Sequence, residues 1–329
     1  MRVYFIIAAI ALQVLVLVVM AGQREYILVT GETVYLRTAP IDPRDPFRGD
    51  FVRLSYDLTQ IDASQLEPVP EKLPKGSVIY AMLRPDARNV AMVQDYRLEE
   101  PDDGLYLRGR TRNHWSGKHN YLLRAKFGIE TYFVQQGKGL EIEERQGRRS
   151  TMQVPLEMEL AVGGNGTAII RGHRWSPLGI QLEIPQARTD QDTPPAAPRL
   201  TLGLLNASDQ PLAVVDLPDH CSFTLEPDTR WSQSAWTLAH DPCGNIQAQA
   251  DHLVVLQPGE IHSVTLDLAR PRWHVRTQAG EVVPIGRLPN QRFRLVYRAP
   301  DAGDGPRGSV PVWRGELPSP AFWAAGRVD

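Results

Sequence analysis

The 329-residue chain carries 36 Lys and Arg against 38 Asp and Glu, a formal net charge of −2. That balance offers no broad basic field for phosphates, which argues against a nucleic-acid partner. The abundance of Gly and Pro favours short elements joined by turns, and the length suits two domains of ordinary size.

The first element is apolar. From Val3 to Ala21 there is no charge, and only Tyr4 and Gln13 interrupt the hydrophobic run. As a helix at 1.5 Å per residue it spans about 28 Å, close to the ~30 Å hydrocarbon thickness of a bilayer. A secretory signal peptide is the rival reading. Its apolar core is usually shorter, and the exit Val19-Met20-Ala21-Gly22-Gln23 lacks a clean Ala-x-Ala cleavage site. Residues 1–24 are therefore expected to form a retained signal-anchor helix that meets the lipid bilayer through residues 3–21. Arg2 and the amino terminus precede the span, while Arg24 and Glu25 cancel after it. The positive-inside bias then leaves the N-terminus in the cytoplasm and the bulk of the chain extracytoplasmic.

Short strand-like stretches follow over residues 25–186. Tyr26–Val29, Thr33–Arg37 and Phe51–Tyr56 come first, the last alternating large apolar with polar side chains as a half-buried strand does. Ser77–Leu83, Val90–Val93, Gly104–Thr111, Tyr121–Phe127, Glu130–Gln135, Leu156–Val162 and Thr167–Ile170 continue the series. Gly163-Gly164-Asn165-Gly166 suits a tight turn between the last two. Gly137 and Gly139 read as turn residues, and Gln60–Glu67 as a short helical turn stopped by Pro68 and Pro70.

Residues 187–199 contain two carboxylates and three prolines but no large apolar side chain, the composition of a spacer. Beyond them, Arg199–Leu205, Leu212–Leu217, Ser222–Leu225, His252–Leu256, Ile261–Leu268 and Arg292–Arg298 read as strands. A Pro-Gly turn at Pro258-Gly259 separates the fourth from the fifth. The expected fold is mainly β: an N-terminal transmembrane helix, a β-rich exported domain over 25–186, and an immunoglobulin-like sandwich over 200–329. Cys221 and Cys243, the two cysteines of the chain, are expected to form a disulfide rather than half of a metal site with His220 or His240.

The stretch from Pro40 to Tyr56 holds Pro-x-Asp-Pro at Pro40-Ile41-Asp42-Pro43, then Arg48-Gly49-Asp50-Phe51. Downstream, Phe127 to Val134 precedes Gly137, Gly139 and Glu141. Together with the apolar segment ahead of them, these resemble the bacterial GDYXXLXP family over roughly Ala8 to Ile170. Gly49, Asp50 and Leu54 match the family signature, whereas Phe51 stands at the Tyr position and Tyr56 at the final Pro position. The resemblance implies association with multi-span membrane proteins and carries over no catalytic residue, substrate or cofactor.

The charges beside the three prolines are the candidate partner-binding set: Asp42, Arg44, Asp45, Arg48, Asp50 and Arg53. Pro40, Pro43 and Pro46 restrict the backbone, and the arginines suit paired hydrogen bonds to carboxylates. The same charges also suit an internal ion-pair network. Arg48-Gly49-Asp50 as an adhesion tripeptide is set aside for a turn into a strand.

His114 and His119 with a carboxylate, or His114, Ser116 and Lys118 as a proton-transfer set, are weighed against a plain polar hairpin, which is preferred. Trp231, Trp236, Trp273, Trp313 and Trp323 read mainly as cover for a small core. Arg292 and Arg294 read as a solvated strand face. No catalytic residue, metal or cofactor is assigned. The functional expectation is a membrane-anchored scaffold or regulatory subunit of a membrane-protein assembly; a glycan- or peptide-binding protein and a membrane-tethered hydrolase are the alternatives.

Overall fold

The computed structural model describes residues 2–38, 51–62, 66–67, 70–116, 122–135, 138–146, 152–184, 199–228, 236–239, 243–244, 246–277, 279–288, 291–300, 310–324 and 327–328. It is mainly β with one long N-terminal helix, α1 (Arg2–Thr30).

The helix runs past the expected boundary. Tyr26–Val29, read from its composition as a strand, forms the last turn of α1. Strand propensity is overridden because the preceding apolar helix propagates into this turn, and local bonds close it. Thr30 Oγ1 donates to the Tyr26 carbonyl at 2.8 Å, and the Gly31 amide to the Ile27 carbonyl at 2.8 Å. Arg171 donates to the carbonyls of Leu28 and Gly31, satisfying helix-end acceptors with a cation where the dipole is negative. Gly31 alone separates helix from sheet. A Cβ there would meet the Ile27 carbonyl oxygen at 2.5 Å and the backbone of Val162 at 3.1 Å, so only glycine permits so abrupt a transition.

Thirteen strands follow before the chain changes core: β1 (Glu32–Arg37), β2 (Phe51–Arg53), β3 (Gln60–Asp62), β4 (Leu66–Glu67), β5 (Lys72–Leu73), β6 (Val78–Pro85), β7 (Val90–Arg97), β8 (Tyr106–Thr111), β9 (Trp115–Ser116), β10 (Leu122–Lys126), β11 (Thr131–Phe133), β12 (Leu156–Val162) and β13 (Ala168–Trp175). Most join one sheet in the order β13-β12-β1-β7-β6-β8-β10-β3, with β4 added beside β7. Its inner face buries Val34, Leu36, Ile79, Leu107, Leu123, Leu156 and Leu160 in a first core. The β12–β13 hairpin turns at Gly163–Gly166 as the glycines require, with Gly166 at φ +73°.

Two local expectations are corrected. Gln60–Glu67 contributes β3 and β4, and the helical turn sits earlier, at Asp57–Thr59. Gly139 lies inside a helix, α2 (Lys138–Gln146), while Gly137 lies outside the described residues. Ile142 of α2 joins the first core. With a glycine in its first turn and few apolar side chains, the segment carries little of the repeating apolar signal that marks a helix.

The second core begins at Leu178. Its strands are β14 (Leu178–Glu183), β15 (Arg199–Asn206), β16 (Leu212–Val215), β17 (Phe223–Pro227), β18 (Trp236–Leu238), β19 (Leu253–Leu256), β20 (Ile261–Asp267), β21 (Val275–Thr277), β22 (Val282–Val283), β23 (Arg292–Arg298), β24 (Glu316–Pro318), β25 (Phe322–Trp323) and β26 (Arg327–Val328). β14 and β15 pair antiparallel from Leu178↔Asn206 to Glu183↔Thr201, so strands on both sides of the Pro-rich segment share one sheet. Residues 185–198 themselves lie outside the described residues. Among the described residues the ladders draw four short sheets around this core, where an immunoglobulin-like sandwich would have two.

Cys221 and Cys243 are joined as a disulfide, with Cα atoms 5.5 Å apart. They pack with Val215, Leu217 and Ile246 in a small apolar cluster. Removing the bond frees a loop of 22 residues in sequence separation. Cys221→Ala with Cys243→Ala is expected to cost about 3 kcal/mol of stability in the chain-entropy model. Thermal unfolding of variant and parent under non-reducing conditions checks this; equal midpoints would show that the bond does not constrain the unfolded chain.

Candidate functional site

The resemblance segments meet in space. β2 pairs with β11, placing Val52 opposite Tyr132 and Arg53 opposite Thr131. The contact continues beyond the ladder: the Leu54 amide donates to the Glu130 carbonyl at 2.9 Å, and the Tyr56 hydroxyl to the Ile129 carbonyl at 3.1 Å. The Glu130 carboxylate turns back to accept the amides of Phe127 at 2.5 Å and Gly128 at 3.0 Å. Val52, Leu54, Tyr56 and Leu58 alternate into the first core. Burial, aided by the Glu130 charge, pushes the Tyr56 phenol above its ordinary pKa and keeps it neutral as a donor.

Of the six charges expected to bind a partner, Asp42, Arg44, Asp45, Arg48 and Asp50 lie outside the described residues. Arg53 is described and exposed on β2. What this stretch delivers to the rest of the molecule is Asp57, at the end of the buried alternation. It reaches the second core by pairing with Arg294 at 2.6 Å.

That pair stands at a cleft of about 270 Å³ between the two cores, lined by Tyr56, Asp57, Gln60, Tyr96, Asp228 and Arg294 among others. Arg294 also reaches Asp228 at 3.4 Å, and Arg292 lies 3.5 Å from the same carboxylate. Burial alone would lower the Arg294 pKa, but Asp57 and Asp228 hold it above the ordinary value. The solvated face expected for these arginines is thereby corrected: Arg292 and Arg294 turn toward carboxylates at the contact between the cores. Alternation along β23 separates them from Phe293, Leu295 and Tyr297, but alternation alone does not say what covers the opposite face.

A second cluster lies nearby, on the edge of the first sheet. Glu157 of β12 is fully buried. Its carboxylate accepts both terminal nitrogens of Arg88, at 2.9 and 3.0 Å, and Nε of Arg174 at 2.8 Å. Arg37 lies 3.8 Å from Glu157 and 3.8 Å from Asp86, and its burial lowers its pKa despite both charges. Asp86 Oδ1 accepts the amides of Arg88 and Val90, at 2.8 and 2.9 Å. Asp86 Oδ2 accepts the Glu316 amide from the other core at 3.3 Å. Glu316 pairs in turn with Arg84 and Arg298, each at 3.2 Å. A Cβ on Gly315, whose φ is +125°, would stand 2.6 Å from Asp86 Oδ2; the backbones approach here because the residue is glycine. Arg88 also lies over the Trp313 ring, 5.5 Å from its centroid.

The aromatic side chains follow the core reading. Trp273 and Trp313 are buried, and Trp236 packs 5.0 Å from Phe293; Trp231 lies outside the described residues. His114 is exposed, while Lys118 and His119 lie outside the described residues. A trio of chemical groups occurs elsewhere. Asp216 lies 3.1 Å from Nδ1 of His220 and 3.0 Å from Nε2 of His262. Burial opposes its ionised form, but the two histidine hydrogen bonds hold its pKa below the ordinary carboxylate range. This trio joins β20 to the turn after β16, and the 46 residues between its ends hide it from any local motif. Among the described residues no group of three or more His, Cys, Asp or Glu is arranged to hold a metal.

Residues 13–172 match the family model described as GDYXXLXY protein. Over these residues, just under half of the chain, it is similar to the GDYXXLXY family. The match brackets the end of α1, the paired resemblance segments, and Glu157 with Arg37, Asp86 and Arg88. The family's signature ends in Tyr, so Tyr56 fits it together with Gly49, Asp50 and Leu54; the expected mismatch at that position is corrected, and Phe51 is the departure. In the GDYXXLXY region, Leu54 and Tyr56 are core residues, and the segment after them carries Asp57 to the other core. No curated protein matches the chain, and no solved structure matches it.

Glu157→Ala is expected to destabilise the fold by about 3–5 kcal/mol, because it leaves buried guanidinium groups without their shared carboxylate. Arg53→Ala, on an exposed strand position, is expected to stay within about 0.5 kcal/mol. Denaturant midpoints at constant slope check both. A Glu157→Ala midpoint equal to that of the parent would show that the cluster does not hold the structure.

Proposed function

We propose that this protein is a membrane-anchored, extracytoplasmic scaffold or regulatory subunit of a membrane-protein assembly. The observation that carries the reading is the way α1 meets the sheet. Val3–Thr30 is long and apolar enough to cross a membrane, with a mean hydropathy of 2.8 in its most apolar stretch and none of that stretch buried. Gly31 joins it directly to β1, and Arg171 clasps its end. A helix attached in this way fixes the height and facing of the β region relative to the bilayer. That is of use to a protein that presents a surface to a neighbour in the same membrane.

Three further features support the reading. The Cys221–Cys243 disulfide suits an oxidising, extracytoplasmic compartment. The flank charges favour an N-terminus in the cytoplasm of a bacterial cell and a β region outside its cytoplasmic membrane. The stretch from Pro40 to Arg53 combines proline-restricted backbone with Asp42, Arg44, Asp45, Arg48, Asp50 and Arg53, side chains suited to directional pairing with a partner. A glycan or peptide ligand is the second reading, favoured by the cleft between the cores. There, however, Asp57 already holds Arg294, and the Tyr56 and Tyr96 hydroxyls donate to the Ile129 and Leu58 carbonyls.

In-cell crosslinking from positions beside Arg44 and Arg53 is expected to recover an integral membrane protein repeatedly. Asp45→Ala is expected to weaken that recovery without changing the unfolding midpoint. If crosslinking across the β region and purification in mild detergent recover no recurring membrane partner, the assembly reading fails.

A further inference from the structure

Two exposed surfaces of opposite charge lie side by side on the outer wall of the first sheet. Alternation along β8 and β10 turns Leu107, Leu123 and Ala125 into the core and leaves Arg108, Arg110, Arg124 and Lys126 exposed. Arg112, just past β8, is exposed as well. Register sets these cations against one another: Lys126 stands opposite Arg110, and the Arg112 amide donates to the Arg124 carbonyl at 2.7 Å. Like charges directly opposite across a ladder are destabilising, and β6, β8 and β10 contain no carboxylate to relieve them.

The second surface is the loop between β7 and β8, where Glu99, Glu100, Asp102 and Asp103 are all exposed. It crosses the outer face of β6. A Cβ on Gly104 would meet Met82 Cε at 3.2 Å, and Glu100 accepts the Tyr106 hydroxyl at 3.2 Å. β6 pairs with β8 through Met82↔Tyr106, Tyr80↔Arg108 and Val78↔Arg110, so the carboxylates are neighbours of the cations across the strands. Among the described residues none of these nine charges forms an ion pair; Arg110 donates to the Gly76 carbonyl at 3.0 Å.

A surface whose positive and negative halves lie side by side is complementary to its own copy. Half a turn about an axis between the halves lays the acidic loop of each chain on the cations of the other, the isologous contact of a two-fold dimer. A partner of a single sign, whether an acidic protein or an anionic membrane, answers one half and is repelled by the other. The direction of the axis follows from α1. The Arg108 amide donates to the Gly166 carbonyl at 2.8 Å, in the turn whose Gly163 packs on Ile27 of α1, and β8 leads away from there. An axis running with the strands leaves both helices entering the same bilayer. Single exposed ion pairs are weak, but the two-fold axis doubles each of them, and confinement to one membrane raises the effective concentration.

We propose that a second copy of this chain docks here, the 99–103 loop of each copy lying on Arg108, Arg110, Arg112, Arg124 and Lys126 of the other. The contact goes beyond the partner binding assigned to the segment from Pro40 to Arg53 and takes from that reading only the anchor.

The test uses full-length protein in its native membrane. Cys221 and Cys243 are joined to each other, so an added cysteine supplies the free thiol. Two differently tagged copies are co-expressed, one with Asp103→Cys and the other with Lys126→Cys, and the membranes are oxidised. A disulfide adduct carrying both tags is expected, and none when both copies carry Val255→Cys, exposed on the second core. Arg108→Glu with Arg124→Glu in both copies is expected to lower the yield by about tenfold or more, since like charges then face each other. Glu99→Lys with Asp102→Lys is expected to do the same, and the two reversals combined in each chain to restore most of the yield. All four positions are exposed, so unfolding midpoints are expected to hold. No doubly tagged adduct, a yield indifferent to either reversal, or no restoration on combining them would overturn the proposal; adducts with another protein in place of the second tag would overturn it in favour of a different partner. Sequencing the N-terminus of the same sample separates the two levels: a chain beginning after Met20 removes the anchored reading together with the proposal, whereas an intact N-terminus without the adduct removes the proposal alone.

Discussion

A carboxylate withdrawn from water within a β-strand must be answered by positive charge, and Glu157 sets that requirement for this molecule. Arg88 meets it with two parallel hydrogen bonds and Arg174 with a third. Because Arg88 lies in the turn between β6 and β7, and Arg174 lies on β13, the one carboxylate ties three parts of the first sheet. Geometry of this kind contributes more to specifying a single arrangement than to net stability, since desolvation offsets much of the attraction. Asp86 extends the constraint by taking the amides of its own turn with one oxygen and the Glu316 amide with the other. The charged cluster thus becomes a contact between the two cores.

The GDYXXLXY segment reaches the same contact through Asp57. Its buried alternation ends at Asp57, and the Asp57–Arg294–Asp228 group faces the cleft while the Glu157 and Glu316 groups close the neighbouring edge. With α1 fused to β1 through Gly31, and β1 paired to β12 along its length, the N-terminal helix, the first sheet and the second core form one continuous chain of contacts. A force or contact at α1 is carried into β12, the strand that holds Glu157.

Much of the strand pattern was legible because alternation is a local signal. Leu156–Val162 and Arg292–Arg298 have the bounds that their apolar periodicity implies, and the glycines at 163–166 and 259 mark real turns. The failures share one cause, which is that tertiary context is not local. Tyr26–Val29 has strand composition but continues the long apolar helix that precedes it. Arg292 and Arg294 look solvated until Asp57 and Asp228, distant in sequence, arrive opposite them. The Asp216 trio and the Glu157 cluster contain ordinary surface-type residues at spacings that form no motif. The family signature was recognisable, and the alternation over Phe51–Tyr56 already marked one of its faces for a core, where Leu54 and Tyr56 lie. The five charges before Phe51 lie outside the described residues, so their role rests on sequence alone.

The central claim is that the ion pairs and hydrogen bonds between them make the two cores one cooperative unit behind the N-terminal helix. Scanning calorimetry of the full-length protein in detergent tests it most directly. The account predicts a single transition whose calorimetric and van't Hoff enthalpies agree, and its division into two transitions when Asp86→Ala and Asp57→Ala are combined. Two separate transitions in the unaltered protein would contradict it.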